Sequence, residues 1–256
     1  MTEATRHAPG SPCWVSLMVH DLDATQHFYG ELFGWEFAPG PQQLGPYVRA
    51  LLDGKEVAGI GRLPADRHLP VAWTPYLATD DVNTTAESLR CCGGTVGVGP
   101  LDAEDAGRLA IVTDPAGAVF GLWQPAAHQG FALYGTPGTP VWNELLTTET
   151  SSVAKFYQSV FGYEVEPVDA VDDDYVVLVL GRRPVAALRG VGSALPRDRG
   201  TYWKTWFEVE DPDVAARQAQ ELGGRVLAPP RDTPQGRTAT VADPEGAVFA
   251  VVRSAH

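Results

Sequence analysis

Two stretches set carboxylates and an ammonium among aromatic residues at alternate positions. In "VWNELLT", residues 141–147, Trp142, Glu144 and Leu146 share one side of an extended chain; in "WKTWFEVE", residues 203–210, Lys204, Trp206 and Glu208 do the same. A Glu buried beside apolar and aromatic groups has a raised pKa, which suits a general acid or base near neutral pH, and Glu144 is the foremost candidate. The same residues have a plainer reading, with Glu144 and Lys204 as a structural ion pair and Glu208 solvated at a strand edge. His20 sits beside Asp21 at a strand end, a surface position rather than a proton shuttle. His27, His68 and His128 fall in helix-surface, loop and linker sequence, and no two histidines have ligand spacing. Cys13, Cys91 and Cys92, an odd number with an adjacent pair, make neither a disulfide framework nor a metal or redox motif, as in a reducing compartment.

The elements that position these residues occur twice. "WVSLMVHDLDATQHFYGELFGWE" from Trp14 aligns without a gap to "WNELLTTETSSVAKFYQSVFGYE" from Trp142, 128 residues later. "GRLAIVTDPAGAVF" from Gly107 likewise faces "GRTATVADPEGAVF" from Gly236. Within each copy the pattern divides again. Val15, Leu17 and Val19 alternate with Trp14, Ser16, Met18 and His20, the period of a strand. A helix follows from near Asp23 with Phe28, Leu32 and Phe33 at helical spacing and Gly34 at its C-terminal cap, and "YVRALLD" and "KEVAGIG" flank Gly54 as a hairpin. The next strand, "TPYLAT", leads to a helix over residues 81–92, a Gly-Gly stop and two more strands about a Pro-Gly turn. The reading is α+β: a tandem duplication, four βαβββ units in curved mixed sheets. Its boundaries are a mobile tail over 1–11 without a secretory signal, domains over 12–124 and 140–254, and a linker over 125–139 rich in Gly, Pro and Ala.

The repeated "FYGELFGW" and "FYQSVFGY", the Gly-Gly after each second helix, and "DPAGAVF" and "DPEGAVF" resemble the vicinal oxygen chelate superfamily of glyoxalases, extradiol dioxygenases and bleomycin-resistance proteins. The resemblance runs from about Trp14 to Val252 and is closest to a two-domain, glyoxalase-like actinobacterial type. It implies paired βαβββ units curled into U-shaped clefts. There a divalent metal, held by His and Glu on the first strand of each unit and on the last strand, fixes two substrate oxygens as a Lewis acid.

Carried onto this sequence, the implied ligand positions are Trp14, about Thr74, and Gly121 in the first copy, and Trp142, about Lys204, and Ala250 in the second. Indole, ammonium and bare backbone do not replace imidazole and carboxylate, so no metal and no other cofactor is expected. The strand after each DP turn then serves as cleft wall, its ligand position reduced to a small residue that leaves room for a ligand or a neighbouring aromatic. The expected lining is Trp14, Ser16, Met18, Tyr76 and Trp123 in the first cleft, and Trp142 and Trp206 with Glu144, Lys204 and Glu208 in the second. Phe28, Tyr29, Phe156 and Tyr157 read as core.

With 44% hydrophobic and 20% charged residues, the composition is that of a globular protein. No apolar run reaches the roughly 20 residues of a membrane span, and a net charge of −13 repels nucleic acid and anionic membranes. A cytoplasmic monomer or homodimer with a small hydrophobic or aromatic ligand is the expectation. Three functions fit: a metal-independent enzyme of secondary metabolism, hydroxylase- or isomerase-type, with Glu144 as acid/base; a sequestering protein of the bleomycin-resistance type; and a metal-dependent lyase or dioxygenase with displaced ligands.

Overall fold

The computed structural model describes residues 7–42, 45–64, 70–168, 174–197 and 199–255. Residues 1–6 of the expected tail, and His68, lie outside them.

Each βαβββ unit forms as its pattern requires. The first comprises β1 (Pro12–Val19), α1 (Leu22–Phe33), β2 (Glu36–Pro39), β3 (Tyr47–Leu52) and β4 (Lys55–Arg62). The second comprises β5 (Trp73–Ala78), α2 (Val82–Cys91), β6 (Thr95–Ala103), β7 (Gly107–Thr113) and β8 (Val119–Pro125). The third is β9 (Pro140–Thr147), α3 (Ser151–Phe161), β10 (Glu164–Pro167), β11 (Asp174–Leu180) and β12 (Arg183–Gly190). The fourth is β13 (Tyr202–Glu208), α4 (Pro212–Glu221), β14 (Arg225–Thr233), β15 (Gly236–Ala242) and β16 (Val248–Ser254).

Asp21 caps α1 by accepting from the Ala24 N–H at 3.0 Å, and Gly34 closes it at φ 74°, a left-handed position that glycine adopts without a Cβ penalty. In the β3–β4 hairpin, Asp53 and Gly54 both have positive φ, the tight turn whose twist matches its strands. Among the described residues, no helix is long and apolar enough to cross a membrane.

Strand pairing follows the repeats. One sheet has the order β2-β3-β4-β1-β5-β8-β7-β6 and the other β10-β11-β12-β9-β13-β16-β15-β14, so each copy contributes eight strands. Core packing does not. Of the described residues, one compact unit gathers those within 1–13, 74–130 and 143–204, the other those within 14–73, 131–142 and 205–256. Whether units pair within or across copies, open from sequence, thus has two answers: within a copy for hydrogen-bonded strands, across copies for side-chain packing.

The repeated motifs explain the crossing. In the unit holding α1, Tyr29 donates to the buried Asp243 carboxylate at 3.0 Å and accepts from Trp73 Nε1 at 3.0 Å. In the unit holding α3, Tyr157 donates to Asp114 at 3.2 Å and accepts from Trp203 Nε1 at 3.2 Å. Each "FY" therefore reaches the DP turn of the other copy. Asp114 and Asp243 also accept the N–H of Ala118 and Ala247, which pins both turns. Phe28, Tyr29, Phe156 and Tyr157 are all buried, as core residues should be.

Candidate functional site

The polar cluster lies in the unit formed by 1–13, 74–130 and 143–204. β9 and β12 run parallel with Glu144 beside Ala187 and Leu146 beside Arg189, while antiparallel β11 sets Tyr175 beside Arg189. These residues share one sheet face because pairing puts partners on the same side. Glu144 is 1% exposed. Its Oε2 lies 2.9 Å from Lys204 Nζ on β13, and its Oε1 accepts from Arg189 Nε at 3.0 Å. The Arg189 guanidinium packs 4.8 Å from the centre of the Tyr175 ring.

Burial alone would push the Glu144 carboxyl up. The Lys204 ammonium and the Arg189 guanidinium more than reverse this, and Glu144 titrates below the ordinary carboxylate range. The raised pKa expected from apolar surroundings is therefore corrected: two cations within hydrogen-bond reach outweigh desolvation, and near neutral pH the group is a carboxylate. Arg189 escaped the sequence reading. Its only signal was the exchange of Gly61 in the first copy for Arg at the position 128 residues on.

The other unit holds the remaining polar candidates. There the Glu208 carboxylate accepts from the Ser254 N–H at 2.9 Å and is 2.6 Å from Ser254 Oγ, which fastens the end of β13 to β16. Trp206 pairs with Ala250 in register and packs with Val252, Val141 and Trp142. The first copy's β1 face is neutral in this unit: Trp14 Nε1 donates to Tyr47 Oη at 3.1 Å, and Ser16 Oγ lies 2.7 Å from the same hydroxyl. Trp14 also packs on Phe131, their ring centres 5.6 Å apart. Burial pushes the Tyr47 phenol up, partly offset by its hydrogen bonds to Ser16 and Trp14. Met18 covers Gly61, where an added Cβ would lie 2.7 Å from its sulfur. His20 is exposed at the end of β1, its backbone N–H bound by Glu245.

In the compact unit that holds Glu144, Tyr76 lies over Gly121, its partner in register. An added Cβ at Gly121 would lie 2.5 Å from Tyr76 Cγ and closer still to two other ring atoms. The small residue in this strand thus makes room for a neighbouring aromatic. Trp123 is buried and donates from Nε1 to the His128 carbonyl at 3.0 Å.

A family model described as glyoxalase-like domain matches residues 144–252, and one described as bleomycin resistance protein-like N-terminal matches 13–48. CFP32 of Mycobacterium tuberculosis, a glyoxylase by name, is 37% identical over 100% of this chain and 99% of its own. The chain belongs to the glyoxalase-like family of the vicinal oxygen chelate superfamily. The anthracycline biosynthesis protein DnrV of Streptomyces peucetius is also 37% identical, over 97% of this chain and 94% of its own. The fold is shared with the 2,3-dioxygenase LapB of Pseudomonas sp. KL28, TM-score 0.67 at 14% identity, with 98% and 94% of the two chains covered. It is shared also with the Mn(II)-bound glyoxalase of Novosphingobium aromaticivorans, TM-score 0.66 at 18% identity, covering 96% and 82%.

The metal that this superfamily implies does not fit the residues present. Of the implied ligand positions, Lys204 brings a cation ion-paired to Glu144, Trp14 an indole N–H engaged with Tyr47, and Gly121 a backbone covered by Tyr76. Ala250 and Trp142 offer no side-chain acceptor, and Thr74 offers only a neutral hydroxyl. Among the described residues no three His, Cys, Asp or Glu are grouped to hold an ion.

Proposed function

We propose that this glyoxalase-like protein works without a metal, as an enzyme of secondary metabolism acting on a small hydrophobic, aromatic metabolite at the Glu144–Arg189–Lys204 face. One observation carries the reading: Lys204, at a position where the resemblance implies a metal ligand, is ion-paired to a carboxylate that is 1% exposed. A fixed ammonium can take over from a metal the task of polarising a ligand oxygen. Lys204 is assigned that donor role, and Glu144, as a carboxylate, orients Lys204 and Arg189 rather than acting as a general acid. Tyr175, stacked on Arg189, offers an aromatic surface beside the charges. Trp142 and Trp206 belong to the other unit, where Glu208 holds the strand that bears Trp206. The full-length likeness to a protein named for anthracycline biosynthesis supports a fused aromatic ligand with ring oxygens.

The test uses alizarin, a dihydroxyanthraquinone whose visible band reports its environment. Wild-type protein should bind it, and Lys204→Met, checked for folding by circular dichroism, should weaken binding about tenfold, or about 1.4 kcal/mol. Undiminished binding by Lys204→Met would remove its donor role. A stoichiometric divalent ion in the native mass spectrum of protein purified without chelator would overturn metal independence.

The match of residues 13–48 to the bleomycin resistance model favours a second reading, sequestration without turnover. Recovery of only unchanged compound after prolonged incubation with a ligand co-purified from cells selects that reading; a new product selects the enzyme.

A further inference from the structure

The segment before the first strand of each copy is anchored in the same way. In one compact unit the Gly10 N–H donates to the Ala78 carbonyl at 2.8 Å, the Gly10 carbonyl accepts from the Tyr163 hydroxyl, and the residue lies against Phe161 and Leu180. In the other unit Gly138, 128 positions later, donates to the Glu208 carbonyl at 2.8 Å and accepts from Trp35 Nε1 at 2.7 Å. It lies against Phe33 and Leu52, the counterparts of Phe161 and Leu180. Upstream of this anchor the copies diverge. Phe131 and Leu133 pack onto the core that holds Val57, and the Ala132 N–H donates to the Glu56 carbonyl at 2.8 Å, so the linker covers the start of β4. Val57 is fully buried there. Its counterpart Val185 on β12 is only half-buried. Beside it lies a cavity of about 540 Å³ whose lining includes His7, Ala8, Ser11, Leu180, Arg183 and Val185. The residues 128 positions before Phe-Ala-Leu-Tyr at 131–134 are Glu-Ala-Thr-Arg at 3–6, which lie outside the described residues and bring no large apolar side chain.

We propose that this cavity is a second binding site, for a small molecule with an apolar body and one anionic group. Its volume falls within the roughly 300–1,000 Å³ of small-molecule sites. Ala8, Leu180 and Val185 offer apolar surface, and the aromatic and aliphatic side chains that fill the matching place in the other unit show what such surface accepts. Arg183 supplies the positive charge, in a planar fork that suits a carboxylate or sulfonate. Burial, and His128 nearby, hold the His7 imidazole below its ordinary range. Near neutral pH it is therefore an uncharged hydrogen-bonding group, as is the Ser11 hydroxyl, and the anion is left to Arg183. All of these residues belong to a single compact unit, and none is part of the Glu144–Arg189–Lys204 cluster.

The probe is 8-anilinonaphthalene-1-sulfonate, an aromatic body with one sulfonate whose fluorescence rises out of water, set against the uncharged N-phenyl-1-naphthylamine. Wild type should bind the sulfonate about fivefold more tightly than the uncharged dye, the effect of one exposed ion pair. Arg183→Gln should erase that preference, and Ala8→Trp, which fills the cavity from an exposed loop, should abolish binding of both dyes. Both positions are exposed, so the fold should persist, and circular dichroism checks it. Dye binding that Ala8→Trp leaves unchanged lies elsewhere and overturns the site. A preference for the sulfonate that survives Arg183→Gln overturns the anionic class. A wild type that binds neither dye also overturns the proposal, and binding that then appears on deletion of residues 2–6 would assign the cavity to that segment.

Discussion

Replacing Glu144 by Gln should destabilise the protein strongly at pH 7 and hardly at all in acid. The carboxylate is 1% exposed, while the side chains of its partners Lys204 and Arg189 are 11% and 19% exposed. Neutralising it leaves two largely desolvated cations facing each other without a counter-charge. Breaking a buried pair this way costs about 3–5 kcal/mol, and the residual solvent at both cations sets the expectation at the lower end, about 3 kcal/mol. At roughly 2–4 °C per kcal/mol for a chain of this size, the melting temperature should fall by about 6–12 °C.

The pH dependence has a definite sign. The folded-state pKa of Glu144 is lowered, so its stabilisation is fully present above the unfolded value of about 4.3 and is lost as pH falls through the folded value. Urea denaturation of wild type and Glu144→Gln at a series of pH values should show a constant gap from neutral pH to about 5, closing below it. A gap under about 1 kcal/mol at pH 7, or one that does not close in acid, would refute the ionised, doubly paired carboxylate.

Tyr29→Phe and Tyr157→Phe each remove a buried donor to Asp243 or Asp114 and the acceptor of a Trp N–H, and should each cost about 1–3 kcal/mol in urea denaturation. Burial raises the Asp114 and Asp243 pKa values, so their contribution is present below the unfolded value and lost as pH rises through the folded value. Asp243→Asn should therefore flatten the decline in stability on the alkaline side of pH 4, and an unchanged slope would count against the raised pKa. Gly34→Ala meets no atom closer than 4.0 Å, so its cost is backbone strain alone at φ 74°, about 1 kcal/mol. A neutral Gly34→Ala would mean that the α1 cap relaxes out of the left-handed region.

What the sequence determined by itself is local and periodic. Alternation in β1, the spacing of Phe28, Leu32 and Phe33 in α1, and the glycine cap at Gly34 are properties of neighbouring residues, the 128-residue offset repeats them, and each survives in the structure because backbone geometry enforces it. The residue types at the implied metal positions were equally legible, since an indole or a bare backbone is a poor ligand in any fold. Tertiary structure decided what depends on distance between remote segments. The partner of each "FY" is the DP turn of the other copy, which no local period encodes. Arg189 joins the cluster because parallel pairing sets it diagonally across from Glu144. That meeting reverses the sign of the Glu144 pKa shift: composition foretells desolvation, but Coulomb energy falls off with separation, and only the folded chain brings two cations to 3 Å.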